Sequence, residues 1–217
     1  MTHRTPLPGF DRLITVCRQH SLPLHLEPHV KTAPKPGESI LDEPVDPQLA
    51  AVYERAGGGK LGPLSLYSPG TEWDHLIPWN MRLRERGLDT IHFRSSLVFG
   101  EETGFALYFA TVPRLADAQG LQPVIYLQAM DFPSAAPVAS SVDRFFDTYS
   151  RYLELMVVDP GYVHNRVPEI LFPWDVQQII TRDEPLMALA RAGRFDFLTQ
   201  DDAEARQWVQ QLHTPQT

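Results

Sequence analysis

Cysteine is almost absent from this chain: among 217 residues there is only Cys17. One thiol excludes an internal disulfide framework and suits a reducing compartment. Cys17 recurs with Phe10, Leu13 and Ile14 at helical spacing, so it reads as a small buried hydrophobe and not as a nucleophile. Long apolar runs are missing too, and none approaches the roughly 20 residues that span a bilayer. The opening Met1-Thr2-His3-Arg4-Thr5-Pro6 lacks the apolar core of a secretion signal. These features together predict a cytoplasmic protein. Positive charge is scarce: Lys and Arg total 19 against 27 Asp and Glu, a formal net of -8. A phosphate-backbone binder needs clustered Lys and Arg, so direct nucleic-acid binding is not expected.

Catalytic templates are also missing. Gly57-Gly58-Gly59-Lys60 invites a phosphate-loop reading, but that motif wants Ser or Thr where Leu61 stands and Gly where Glu54 stands. The run also follows a predicted helix instead of preceding one, so it reads as a helix terminator. The 8 histidines do not converge. His25 and His29 are four apart, but Pro23 and Pro28 oppose the helix that would put them on one face, and no metal site is expected. No Gly-x-Ser-x-Gly elbow is present. The expectation is a chain without catalytic residues, metal or cofactor.

What is there describes a sheet hung between helices. A first helix is predicted over residues 10–20, bracketed by Pro8-Gly9 and Pro23. Residues 23–44 are proline-rich and read as an extended connector. Asp46-Pro47 is a strong helix start, and Leu49, Val52 and Tyr53 form the inner stripe of that helix. Strands are predicted at residues 64–67, 97–99, 105–109 and 124–128, with Ile91-His92-Phe93 a further apolar burst. Ser140 or Ser141 should cap a helix over residues 142–156 that turns Phe145, Phe146 and Tyr149 inward. Beyond Asp159-Pro160-Gly161, short helices are predicted at residues 174–182, 185–192 and 201–212. The chain from residue 141 onward is more acidic per residue than the rest, yet Phe172, Trp174, Phe195 and Trp208 give its end apolar weight that predicts docking.

Two segments look able to bind. Trp73, Asp74 and Trp79 lie in a polar stretch off any periodic stripe, where an exposed tryptophan would dominate binding energetics and a folded-back one would be a lid over the core. Glu101 and Glu102 fall between two predicted strands and are expected at a hairpin tip, as solvated charges or as partner contacts.

Three pieces carry a resemblance: Leu49-Ala50-Ala51-Val52-Tyr53-Glu54-Arg55-Ala56-Gly57-Gly58-Gly59, then Leu64-Ser65-Leu66-Tyr67, then Val138-Ala139-Ser140-Ser141-Val142-Asp143-Arg144-Phe145-Phe146. In this order, with a tryptophan-bearing loop between them, they resemble the SUKH superfamily, proteins similar to a yeast cell-wall-synthesis regulator and to many bacterial immunity proteins. Ala56 stands where the family usually has Asn before its glycines, and residues beyond about 160 lie outside the pattern. The resemblance implies an α+β fold, a mainly antiparallel sheet with helices packed on it. Here it would occupy residues 1–158, with residues 159–217 a C-terminal helical extension docked on it. It also implies binding without catalysis: a protein that neutralises a cognate toxin by occluding it. An acidic inhibitor would gain association rate from a basic, nucleic-acid-directed toxin. Two other readings stay open, a regulatory or scaffold module that binds an endogenous protein, and an enzyme whose site is too scattered to see.

Overall fold

The computed structural model describes residues 5–29, 33–70, 72–73, 75–85, 90–102, 106–129, 134–200 and 202–213. In chain order the elements are α1 (Pro8–Gln19), β1 (Leu24–Leu26), β2 (Ser39–Ile40), β3 (Glu43–Pro44), α2 (Pro47–Arg55), β4 (Gly59–Leu61), β5 (Leu64–Leu66), α3 (Leu76–Glu85), α4 (Ile91–Arg94), β6 (Leu97–Glu102) and β7 (Leu107–Thr111). There follow β8 (Val124–Gln128), β9 (Ser134–Ala139), α5 (Val142–Met156), α6 (Pro160–Asn165), α7 (Gln177–Ile180), α8 (Glu184–Arg191), α9 (Asp196–Thr199) and α10 (Ala203–His213). Seven strands form one antiparallel sheet in the order β1-β4-β5-β6-β7-β8-β9. From β4 onward every strand pairs with its sequence neighbour, a meander that needs no crossover. The fold is α+β, an antiparallel sheet with helices on both sides.

Helix α5 is seated on one face. Its first turn is capped by Ser141, whose hydroxyl accepts from the Arg144 N–H at 3.4 Å. Phe145 then stacks on Phe109 of β7 with ring centroids 4.7 Å apart, and both Phe145 and Phe146 meet Phe99 of β6. Phe172, from beyond α6, adds its ring 5.3 Å from Tyr149 and 5.9 Å from Phe109. All six rings are buried. Helix α1 lies across α5 and has no side-chain cap of its own. Instead the Asp143 carboxylate of α5 accepts from the Gly9 and Phe10 N–H groups, each at 3.1 Å. The helices touch so closely there that a Cβ on Gly9 would lie 2.0 Å from the Asp143 carbonyl oxygen.

Asp46 does for α2 what its position predicts. It accepts from Gln48 and Leu49 N–H at 2.8 and 2.9 Å, and also from Gln122 N–H at 2.7 Å, tying α2 to the approach of β8. The helices from α8 onward pack on the sheet's last strand. Helices α8, α9 and α10 gather against β9, and the buried Trp208 indole donates to the Pro137 carbonyl at 3.1 Å. That contact covers the outer edge of β9, where an open row of backbone groups would invite pairing with another chain.

Several local expectations need correction. Ile91-His92-Phe93 is the helical turn α4, not a strand: His92 Nε2 bonds the Leu198 carbonyl at 2.7 Å, and the ring of Phe93 packs on Tyr108. Tertiary contacts here override the local preference of Ile and Phe for strands. The supposed connector at residues 23–44 contributes β1 and the β2–β3 hairpin. Between β8 and α5 runs an extra strand, β9, and the glycine run that ends α2 also opens β4. The predicted strand over 105–109 is displaced to Leu107–Thr111, and Phe105 lies outside the described residues.

Two substitutions test this packing. Phe145→Ala should lower unfolding free energy by about 3–5 kcal/mol in urea titration, the usual cost of truncating a buried Phe. Gly9→Ala should cost about 1–3 kcal/mol or more, since the new methyl group meets backbone that cannot swing aside. Unchanged midpoints for both would place the core elsewhere.

Candidate functional site

Asn80 builds the site by fixing α3 to the sheet. Its amide nitrogen donates to the Leu76 and Val98 carbonyls at 2.8 and 2.7 Å, and its oxygen accepts from the Val98 N–H at 2.8 Å. All of this is buried, so every polar atom of the amide is used where none could find water. Arg84 adds a second staple: Nε donates to the Phe93 carbonyl and Nη2 to the Ser96 carbonyl, both at 3.2 Å. Helix α3 is thereby held against β6 and α4, on the face of the sheet opposite α5.

The side chains projecting from this face are aromatic and cationic. Trp79, three residues into α3, is half-buried between Tyr67 and Tyr108, at centroid distances of 5.7 and 6.3 Å. Trp73 meets it edge-on at 6.4 Å and is 67% exposed, the most exposed aromatic ring among the large hydrophobic residues on the described surface. Arg82, one turn after Trp79, places its guanidinium carbon 4.6 Å from the Trp79 ring centre and 4.7 Å from that of Trp73. Two indole faces on one guanidinium contribute about 0.5–2 kcal/mol each, depending on hydration. Arg82 Nε and Nη2 are nonetheless buried with no hydrogen-bond acceptor among the described residues. Tyr67 closes the cluster by donating its hydroxyl to Glu101 at 2.8 Å, and burial together with that carboxylate drives the phenol pKa far up.

The candidate residues are thus only partly gathered. Trp73, Trp79 and Glu101 share one face. Trp79 belongs to a helix and not to a loop, while Trp73 stands in the turn before it, where Glu72 N–H donates to His75 Nδ1 at 3.1 Å. Asp74 lies outside the described residues. The two glutamates are not on a hairpin tip. Both sit in β6, paired with Tyr108 and Leu107 of β7. Neighbouring residues of a strand point to opposite faces, so Glu102 is turned away from the tryptophans and toward α5. There burial pushes its carboxyl up to about 7, and the hydroxyls of Tyr126, Tyr149 and Tyr152 are raised first by their own burial and then by the Glu102 charge.

Arg82 was missed by sequence reading. Its spacing of three from Trp79 was the available signal, visible once residues 76–85 are read as a helix. A second surface was missed as well. Val158, Val163, Val167 and Leu171 are each more than half exposed, on a segment folded back on itself by Asp159, which accepts from Tyr162 and Glu169 N–H at 3.0 Å. Among the described residues, no group of three His, Cys, Asp or Glu could hold a metal ion, and no helix is long and apolar enough to cross a membrane. Cys17 is buried, and burial pushes its thiol up to about 11.

Comparison with protein-family models, curated proteins and solved structures returns no match to the chain.

Glu102 gives a pH signature. Its folded pKa of about 7 lies above the ordinary 4.5, so the folded chain holds that proton more tightly than the unfolded one. Its contribution is therefore fully present below pH 4.5 and is lost as pH rises through 7, by about 3 kcal/mol at most. Glu102→Gln should raise stability relative to the parent at pH 8 and leave it nearly unchanged at pH 4.5, measured by urea unfolding at both.

Proposed function

We propose that the chain is a non-catalytic protein-binding module that grips its partner with the Trp73–Arg82–Trp79 stack. The carrying observation is an exposed indole stacked on a guanidinium that is itself seated on a second, half-buried indole. Tryptophan and arginine are the residues most enriched among those that dominate interface energetics. The stack is also rigid before binding: Asn80 and Arg84 fasten α3, so little side-chain freedom remains to be lost on association.

The resemblance to SUKH proteins makes the partner a toxin encoded beside this chain, held inactive in the cytoplasm by occlusion. The acids do not flank the anchor as a pair, since Glu101 takes the Tyr67 hydroxyl and Glu102 faces α5. Their role at the contact falls to Glu101 alone, at its rim. The formal net charge of -8 still supports long-range steering of a basic partner. A regulatory module binding an endogenous protein would use the same stack and differs only in the partner.

The test is titration by calorimetry of the parent and variants against the neighbouring gene's product. Trp73→Ala and Arg82→Ala should each weaken binding by about thirtyfold or more, the scale of a 2 kcal/mol anchor. Glu102→Gln should bind as the parent does. If both stack variants stay folded and bind normally while Val163→Asp with Val167→Asp abolishes binding, the contact is the valine surface and this site is wrong.

A further inference from the structure

A second polar site lies on the α5 side of the molecule, away from the tryptophans. Arg144, Thr148 and Arg151 stand at i, i+4 and i+7 on α5 and so share one stripe of that helix. Across from them Arg182, just past α7, lines the same cleft, which encloses about 150 Å³. Two carboxylates also line it, Asp147 and Asp183, and both are committed to other groups. Asp183 Oδ2 accepts from the Ser140 N–H at 2.7 Å, and its Oδ1 from the Leu186 N–H at 3.3 Å as the cap of α8. Asp147 takes both bonds from one edge of Arg151, Nε at 3.1 Å and Nη2 at 3.3 Å.

The remaining donors are in excess. Arg144 Nη1 lies 3.7 Å from Asp147, too long for a hydrogen bond, and Arg12 Nε lies at 3.8 Å while its Nη2 donates to Glu154 at 2.7 Å. Arg151 retains Nη1, and the Arg182 guanidinium has no acceptor among the described residues. Three arginines against two satisfied carboxylates leave the cleft with one unit of positive charge, on a chain whose formal net is -8. Guanidinium groups from two elements line this one cleft, and their planar forks match the oxygens of a tetrahedral anion. The size fits the class: drug-sized ligands occupy roughly 300–1,000 Å³, so a cleft of about 150 Å³ has room for one such group.

We propose that the cleft between α5 and α7 binds a single phosphoryl group through Arg144, Arg151 and Arg182. Arg151 is oriented by Asp147 and presents its remaining edge. Arg144 and Arg182 close on the anion from opposite walls, and Thr148 offers its hydroxyl between the two α5 arginines. The bound anion would join α5 to the segment that carries α7 and α8, and so stabilise the attachment of the C-terminal helices.

The experiment is a titration of the full chain with sodium phosphate, followed by amide and arginine Nε resonances, against sodium chloride at matched ionic strength. A parallel titration uses O-phosphoserine. Saturable shifts at Thr148, Arg144, Arg151 and Arg182 with phosphate, absent with chloride, are expected. Arg144→Ala and Arg182→Ala should each weaken binding at least about tenfold, the loss of one charge-assisted bond. Arg191→Ala, on the exposed side of α8, should leave it unchanged. Tighter binding of O-phosphoserine than of phosphate would identify a phosphorylated side chain as the source, and the reverse order the free ion. Shifts that follow chloride equally, or full binding by a folded Arg182→Ala chain, would overturn the site.

Discussion

Everything in this molecule hangs on the seating of α5 against the sheet through Phe145. That ring touches Phe99 and Phe109 below it and Phe146, Tyr149 and Phe172 around it, so three separate stretches of chain meet at one side chain. Position follows from that contact. With α5 in place, Asp143 can cap α1 and donate its own N–H to Gln48 of α2 at 2.9 Å, and two further helices are thereby located. Phe172 draws the chain beyond α6 back under the same helix, which leaves α8, α9 and α10 to close over β9. The aromatic layer is dispersion and burial without direction; the aspartate bonds give it orientation.

The two faces of the sheet are built for different ends. The α5 face is closed and aromatic, and it holds Glu102 at a cost because burial penalises the charged carboxylate. The α3 face is fastened by amide and guanidinium bonds to backbone, and its aromatic rings run outward to solvent in the order Tyr108, Trp79, Trp73. A gradient from buried phenol to exposed indole leaves apolar area at the surface of a face whose inner rings are packed. The arginine between the indoles keeps that area from being a purely greasy patch, which lowers its tendency to self-associate.

How much of this is legible in the sequence depends on whether the local signal is also the tertiary one. Asp46-Pro47 and Ser141 are caps whose chemistry is complete within four residues, and α5 and β8 appear where periodicity places them. β9 reads Ser-Ala-Ala-Pro-Val-Ala, without alternation or aromatic weight, and only its pairing with β8 makes it a strand. β1 and β4 are three residues each and are strands only by pairing, β1 with β4 and β4 with β5 as well. α4 is the opposite case, a strand-like tripeptide wound into a turn by the contacts of His92 and Phe93. At the candidate site, the tryptophans announce themselves by residue type alone, whereas Arg82 acquires meaning only from helix geometry. The glutamates fall between two apolar bursts and so read as a hairpin tip, whereas β6 runs on through both of them, and which face each one takes depends on a feature internal to the strand.

Phe99 is an extra residue in β6: Val98 pairs with Ala110 and Gly100 with Phe109, so one residue of the strand has no opposite number. Strict alternation from Phe99 would put Glu101 against α5 and Glu102 beside Trp79; the bulge reverses them. Gly100 permits it, since a Cβ there would lie 2.7 Å from the Ser65 carbonyl oxygen. Removing Phe99 would straighten the strand and leave each glutamate on its present side. Removing Glu101, two positions later, would carry Glu102 into the place beside Tyr67 and take charge off the α5 face altogether. Length changes at nearby positions of this strand therefore have opposite consequences for the distribution of charge across the sheet, a distinction to which residue-by-residue replacement is blind.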